Sequence, residues 1–404
     1  MTPVLYITRN GLCEPLGQSQ VLAYLRGLST DYAFTIVSFE KAEDLADAEA
    51  MQRVSAICEH HGIRWLPQRF RYDPPVLAPA LSMLQFLWLC LREVRRGNAS
   101  LIHARSYIPA AVALLVNRLT GTPFIFDMRG LWPEELITAG RLRRGAFLHR
   151  AINWAERACL RRAAAVVSLT HAAVDHLQSI YPHELAGQRV IVIPTCADLD
   201  RFVTSDQPAS GPRVYACVGT VLSGWFRLDW LAAFFRAAAR DPHARFEIVT
   251  RDAIDPIRAA LDFAPELQWR IAIFPRASHL VHEAVQAHSV SVMFFTEGLS
   301  KLGSSPTRMG EALGCGIPVV ANAGVGDVAR IIAEHRVGVL VADAGDAAMA
   351  AALAELDELM QAPDLAQRCR KAAEEVFSLS AGTAAYKLLY RSILASVGAG
   401  GIQP

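Results

Sequence analysis

The sequence predicts an α/β protein built as two Rossmann-like halves, each a parallel sheet, facing a cleft between domains. Three observations carry that expectation. Short apolar runs alternate with longer helical patterns along the whole chain, as βαβ units do. A polar stretch rich in Pro, Gly and Ser, DLDRFVTSDQPASGPR, interrupts the alternation near the middle. The length of 404 residues suits two domains, each able to bury a core. The boundary is placed near 205: residues 1–205 as the first domain, 206–377 as the second, and 378–404 as a last helix packing back on the first.

In the first half, strands are expected at Val4–Thr8, Phe34–Phe39, Ile63–Leu66, Leu101–Ala104, Phe124–Asp127, Ala165–Leu169 and Val190–Ile193. The second half repeats the scheme at Val214–Val218, Phe246–Val249, Trp269–Phe274, Val290–Phe295, Pro318–Ala321 and Gly338–Val341. Ala80–Leu91 (ALSMLQFLWLCL) is strongly apolar but too short for a bilayer, which takes about 20 apolar residues, and is read as a buried crossover helix. A basic helix is expected between Arg141 and Arg162, with arginines at 141, 143, 144, 150, 157, 161 and 162 against a single acid, Glu156. Phe147, Leu148, Ile152 and Trp154 are interleaved with them. A solvated basic face over a core stripe and a face lying on anionic lipid both stay open. The closing GAGGIQP is expected to fray.

Composition narrows the function classes. A hydrophobic fraction of 52% with 20% charged residues describes a folded globular chain. A net charge of +1 provides no general attraction to nucleic acid, and no nucleic-acid partner is expected. Eight cysteines are scattered without a C-x-x-C pair, which argues against a zinc site or disulfide framework. Met1 runs directly into the strand-like VLYIT, so the expectation is a cytoplasmic protein. Only four residues are lysine, which draws attention to Lys301 in a loop of the second half.

The densest chemistry lies in Phe294–Asp327, FFTEGLSKLGSSPTRMGEALGCGIPVVANAGVGD. Ser305 is placed to cap a helix, Pro306 to occupy its first turn, and Glu311 follows on the same helix. The free N–H groups and positive dipole of such a helix start suit a phosphate. Glu311 is positioned to accept hydrogen bonds from a ribose. Upstream, Val218-Gly219-Thr220 ends a strand and enters a loop with Ser223, Gly224 and Trp225, open to a tight turn or to approach by a diphosphate.

In open α/β sheets ligands gather outside the carboxyl ends of the strands. There the first half has RNGLCEPLGQSQ (Arg9–Gln20) with Gly11, Gly17 and Gln18, then His103-Ala-Arg105-Ser106, then Asp127-Met-Arg129-Gly130. His103 alone would more often be a hydrogen-bonded core histidine. Three polar clusters at strand ends together point to a site. The G-x-G-x-x-G fingerprint is absent. Asp198-Leu-Asp200 reads as turn and cap chemistry, and no metal or cofactor is assigned.

At this point the chain resembles the family-4 glycosyltransferases, retaining enzymes of the GT-B fold that use nucleotide-sugar donors. The resemblance covers nearly the whole length. It rests on GLCEPLGQSQVLAYLRGL, HARSYIPAAVAL, FDMRGLWPEE, VVSLT, VIPTCADLDRF and SKLGSSPTRMGEALGCGIPVVANAGVGD, in that order. It implies that Glu311 is the second glutamate of the family's E-x7-E motif, the one that holds the donor ribose. Gly303 stands where the first glutamate would contact the sugar, so Glu297, Lys301 or Ser304 would have to substitute. Arg129 stands where many members have a histidine near the reacting centre. Of the family's basic pair after the first strand of the second domain, Arg227 is a weak counterpart. Lys301 and Arg308, with the amides near Ser305, Pro306 and Thr307, are expected to neutralise the leaving diphosphate.

The expected activity is transfer of a sugar from a nucleotide sugar to an acceptor hydroxyl with retention, in surface polysaccharide or glycolipid synthesis. Catalytic roles fall to His103, Asp127, Arg129 and Lys301. Donor binding falls to Gly219, Thr220, Lys301, Ser304, Ser305, Pro306, Thr307, Arg308 and Glu311, and the acceptor side to Gly17, Gln18 and Arg105. The expected partners are the donor, a saccharide or lipid-linked acceptor, and a membrane surface touched peripherally through Arg141–Arg162. The alternative is a nucleotide-sugar epimerase of the same fold. A periplasmic-type binding protein and a nicotinamide oxidoreductase fit the residues less well.

Overall fold

The computed structural model describes residues 1–69, 77–205 and 211–400. Part of the polar stretch between the halves and the last four residues of the chain lie outside the described residues. The chain divides into two compact units: Met1–Ile193 together with the segment from Gly382, and Pro194–Ala381.

Among the described residues the first unit holds seven strands: β1 (Thr2–Thr8), β2 (Tyr32–Glu40), β3 (Arg64–Arg69), β4 (Leu101–Arg105), β5 (Phe124–Asp127), β6 (Ala165–Ser168) and β7 (Val190–Val192). They are parallel, in the order β3-β2-β1-β4-β5-β6-β7. The central strands β4 (LIHAR) and β5 (FIFD) are buried along their full length, so both are mostly apolar and end in a charged residue, with His103 the polar exception inside β4. Register aligns Thr8 with Arg105 and Arg105 with Asp127, so three polar groups share a row at the carboxyl end of the sheet.

The second unit repeats the plan with β8 (Val214–Val218), β9 (Arg245–Val249), β10 (Ile271–Phe274), β11 (Val290–Met293), β12 (Val319–Asn322) and β13 (Gly338–Val341), in the order β10-β9-β8-β11-β12-β13. One core, with Phe234, Phe235, Phe246 and Phe294, and another, with Met309, Leu313, Val319 and Phe377, account for the bulk of its apolar burial. In each sheet the strand order reverses once, between β1 and β4 and between β8 and β11. Such switch points open a crevice at the carboxyl ends.

Several expectations are corrected. Trp269 is not in a strand: Pro265–Arg270 forms a 3₁₀ turn, and the exposed Trp269 ring lies under the Arg245 guanidinium at 4.3 Å. The crossover helix is longer than its apolar run, Leu77–Arg95, and is not fully buried, because Leu81, Leu84 and Trp88 face solvent. The basic helix begins only at Phe147 and runs to Arg162, with Gly145 at φ +80° in the turn before it. Glu156, the single acid of that stretch, is buried and accepts hydrogen bonds from Tyr107 (2.7 Å) and Tyr181 (2.8 Å). The last helix, Leu379–Gly400, continues through the start of the segment expected to fray.

Candidate functional site

In the second unit the switch point collects most of the residues singled out in the sequence. Gly219 follows β8 with φ +101°, a conformation that favours glycine. A Cβ there would lie 2.7 Å from Nη2 of Arg308, so the guanidinium rests against bare backbone. Arg308 also reaches the Thr220 carbonyl at 3.4 Å and lies over the rings of Phe226 and Phe295. The loop after β8 is held by Asp252, whose Oδ2 accepts from the amides of Val221 and Leu222 at 2.6 and 2.9 Å. Trp225 in that loop covers Lys301, with Nζ 3.7 Å from the ring centroid.

The helix after Ser305 differs from expectation in one respect. It spans Thr307–Gly314, Pro306 occupies the cap position in extended conformation, and no side chain caps it. Ser305 is therefore not the cap. Its hydroxyl lies 3.0 Å from that of Thr195, whose hydroxyl also donates to the Ser305 carbonyl at 2.8 Å. Proline lacks the N–H that would tie this turn back, so Thr195 fixes it instead. Ser304 is tied by its amide to the Lys301 carbonyl at 3.0 Å. The amides of Thr307 and Arg308 open the helix, and the Arg308 side chain reaches Gly219 and Thr220.

Glu311 lies one turn further along this helix. Burial pushes its carboxyl up to about 7, against the downward pull of Arg308 and Arg201. Among the described residues no side-chain hydrogen bond bears on it. A carboxyl held among apolar groups beside a guanidinium is suited to accept hydrogen bonds from a diol. Gly303 is buried behind the four-residue helix Leu299–Leu302 and presents no group. Glu297, exposed after β11, is approached by Nδ2 of Asn322 at 3.4 Å, and Asn322 clamps Phe295 through both its amide and carbonyl (2.9 and 3.0 Å). Arg227 pairs with Asp229 and lies over Trp230, so its charge is already matched.

In the first unit the row Thr8–Arg105–Asp127 meets the last helix. His103 Nδ1 lies 2.6 Å from the Tyr390 hydroxyl and Nε2 lies 3.2 Å from Asp127 Oδ2, which also accepts from Tyr386 at 3.1 Å. Burial lowers the His103 pKa, so the ring is neutral, with the Nε2 proton donated to Asp127 and Tyr390 donating to Nδ1. Burial would raise the Asp127 carboxyl, but Arg129, His103 and Arg105 outweigh it and keep it ionised. His103 thus has both nitrogens engaged and holds Asp127 in place. Arg129 sits 3.8 Å from Asp127 Oδ1, with its own backbone at φ +59°.

The Arg9–Gln20 loop is held by Glu40, which accepts from the amides of Leu12 (2.9 Å) and Cys13 (3.2 Å). A Cβ on Gly17 would lie 2.0 Å from the Gly11 carbonyl, so the loop closes tightly on itself. Gln18 opens a π-helical turn, Gln18–Leu22, and reaches the Cys13 carbonyl at 3.2 Å. Among the described residues no group of three His, Cys, Asp or Glu side chains is placed to hold a metal ion.

Sequence reasoning missed Thr195, Asn322, Asp252, Glu40, Tyr386 and Tyr390 as site-holding groups. Each is a polar residue at or near a strand end, or one of two tyrosines four apart on a helix. That spacing puts both rings on one face, and it is the signal that was open to reading.

Both halves of the chain match known sequence families. Residues 18–201 match the sequence profile described as Glycosyltransferase Family 4, and residues 212–358 match that described as Glycosyl transferases group 1. The 2-deoxystreptamine N-acetyl-D-glucosaminyltransferase of Streptomyces fradiae is 28% identical over 248 residues. That match covers 58% of this chain and 56% of the relative, so it spans little more than half of that protein.

Among solved structures, sucrose-phosphate synthase from Thermosynechococcus elongatus superposes with a TM-score of 0.69 at 15% identity, covering 98% of this chain and 100% of that one. Anabaena HepE in complex with UDP and glucose gives a TM-score of 0.67 at 14% identity, covering 97% and 100%. At these identities the likeness speaks for the fold alone. The two profiles between them account for most of the chain, and it belongs to the family-4 glycosyltransferases with the GT-B fold.

Proposed function

We propose that this chain transfers a glycosyl group from a nucleotide-sugar donor to an acceptor hydroxyl, with retention of the anomeric configuration. The observation that carries this reading is the grouping of Gly219, Thr220, Arg308 and the start of the Thr307–Gly314 helix, with Glu311 one turn on. The diphosphate lies against Gly219 and the helix-start amides, and Arg308 and Lys301 take up the charge that develops as the glycosyl bond breaks. Glu311 accepts from the ribose hydroxyls. Glu297 is the carboxylate best placed to replace the one absent at Gly303. The fixed cations are assigned the role of meeting the leaving group, and full turnover in EDTA tests whether a metal is needed.

On the first unit the acceptor is held beside Arg105 and Asp127, with Gly17 and Gln18 shaping the neighbouring loop. His103 is a positioning residue for Asp127 rather than a group that touches the substrate. Retention follows if the leaving phosphate helps deprotonate the acceptor on the same face, and the anomeric configuration of the product reports it. Glu311→Gln and Lys301→Met are the direct tests. If both variants turn over donor like the wild type, the donor site lies elsewhere. Thermal melts with UDP-, GDP- and ADP-sugars identify the nucleotide, since a true donor stabilises by mass action.

The second reading, a nucleotide-sugar epimerase, has support in a TM-score of 0.61 to a protein assigned as a UDP-N-acetylglucosamine 2-epimerase from Listeria monocytogenes, at 12% identity. Donor incubated without acceptor would then yield an isomerised sugar.

We also propose that the acceptor is lipid-linked and reached at a membrane surface. On the Phe147–Arg162 helix Phe147 is 87% and Trp154 64% exposed, with Leu148 and Arg150 beside them. The adjacent Tyr107–Thr120 helix exposes Leu115 and Leu119. None of the described helices is long and apolar enough to cross a membrane. Bulky apolar side chains beside the exposed Arg150 suit contact with anionic lipid, while Arg144, Arg157 and Arg161 pair with Glu134 and Glu184. Flotation with anionic but not neutral liposomes, lost in Phe147→Ser/Trp154→Ser, is the expected result.

A further inference from the structure

We propose that Arg105 and Arg129 form an oxyanion site in the first unit that binds a phosphate or carboxylate carried by the acceptor. The proposal rests on the reading above, that this unit receives the acceptor, and adds the chemical class of that acceptor.

The two residues sit at the carboxyl ends of adjacent strands. Arg105 is the last residue of β4, and Arg129 follows the last residue of β5 by two. Arg105 is 3% exposed and the Arg129 side chain 8%. Among the described residues Nε of each has no hydrogen-bond partner, nor has Oδ1 of Asp127. Among the described residues no side-chain hydrogen bond bears on either guanidinium.

The charges around them do not balance. A guanidinium does not lose its proton in a protein, so two full positive charges are buried here. Among the described residues the acid that bears on both is Asp127, and it is already shared with His103 and Tyr386. The other groups beside the arginines are the tyrosines Tyr6, Tyr24 and Tyr386, and burial raises the pKa of Tyr6 and Tyr386, so these two stay neutral. His103 is neutral too. Burial and the neighbouring Arg129 both work against the charge of Arg105. A buried cation without a counter-ion is costly, and structural sites avoid it.

The backbone shows that the arrangement is imposed. Ser106 has φ +77° and Arg129 has φ +59°, both in the left-handed region where residues other than glycine are strained. The Ser106 amide is tied to the Asp127 carbonyl at 2.7 Å, which locks the two strand ends together. Strain, excess positive charge and unused donors converge on one spot. Planar forks of this kind recognise phosphate and carboxylate in a bidentate manner.

The test measures melting temperature with inorganic phosphate, with the nucleoside diphosphate that stabilises the protein best among UDP, GDP and ADP, and with both together. The expected result is that phosphate raises Tm and does so undiminished when the nucleotide is saturating. Arg105→Met and Arg129→Met should each abolish the phosphate shift and keep the nucleotide shift. Arg308→Met should keep the phosphate shift and weaken the nucleotide one. Arg105→Lys, which keeps the charge without the fork, should bind phosphate at least tenfold more weakly.

A structural role is separable. If Arg105 awaits an anion, Arg105→Met raises Tm in anion-free buffer, because a repulsive buried charge is gone. A lower Tm in that buffer overturns the proposal. So does a phosphate shift that vanishes when nucleotide is bound, which would give the arginines to the donor's diphosphate. A phosphate shift retained in both methionine variants overturns it as well. Absence of any nucleotide shift in the wild type indicts the donor site and leaves the phosphate comparison to stand by itself.

Discussion

Replacing Glu311 by glutamine should stabilise the free protein and weaken donor binding, and the size of both effects follows from the site. In the folded chain this carboxyl titrates near 7 rather than 4.5. A shift of that size corresponds to about 3 kcal/mol when each unit is worth about 1.4 kcal/mol. The sign is fixed by the direction. A folded pKa raised above the unfolded one gives stability that is complete below about pH 4.5 and is lost as pH rises through about 7. Glu311 keeps some contact with solvent, so roughly half of that figure, about 1.5 kcal/mol, is a realistic expectation.

For a unit of this size Tm moves by about 2–4 °C per kcal/mol, so Glu311→Gln should melt about 3–6 °C above the wild type at pH 8. The gap should close by pH 5, where the wild-type carboxyl is protonated as well. With saturating nucleotide at pH 8 the order should reverse, because hydrogen bonds from ribose to a carboxylate are worth about 1.5–3 kcal/mol. Wild-type donor affinity should also rise roughly tenfold from pH 6 to pH 8 as the carboxyl ionises. Fluorescence-monitored melts over that range, with and without nucleotide, measure all of this. A variant less stable than wild type at pH 8 without ligand, or a gap independent of pH, refutes the reasoning.

Gly219→Ala places a Cβ 2.7 Å from the Arg308 guanidinium at a position of φ +101°. It should cost about 1–2 kcal/mol in denaturant melts and remove most of the stabilisation by nucleotide. Thr195→Val deletes the hydroxyl that fixes the Ser305 turn; we expect about 1 kcal/mol of lost stability and several-fold weaker nucleotide binding by calorimetry. Tyr390→Phe leaves His103 Nδ1 buried without a donor and should lower stability by about 1–3 kcal/mol in urea, with nucleotide binding unchanged.

Most strands were readable because they are short, largely apolar and bounded by turn residues, and each of the thirteen described strands overlaps an expected run, β3 (RWLPQR) being the least apolar. Trp269 misled because an aromatic beside a strand resembles strand content, while Pro265 upstream favours a turn. The helix start at Thr307 was misplaced because Ser305-Pro306 satisfies local capping rules. A hydroxyl 110 residues away, on Thr195, competed successfully for Ser305. Glu311 and Arg308 stood out in the sequence because both lie on one short helix, but the contacts of Arg308 with Gly219 and Thr220, about 88 residues away, did not. The engagement of His103 by Tyr390 could not be seen from local spacing, since 287 residues separate the pair. The burial of Arg105 and Arg129 was equally invisible: each looks like an ordinary strand-end cation until register sets Arg105 opposite Asp127, two residues before Arg129.

The most direct measurement is a crystal structure with the stabilising nucleotide sugar bound. It should show the ribose hydroxyls on Glu311, and the diphosphate against Gly219 and the amides of Thr307 and Arg308 with the Arg308 side chain over it. A nucleotide sugar found away from these residues, or bound with Glu311 and Arg308 untouched, would contradict the account.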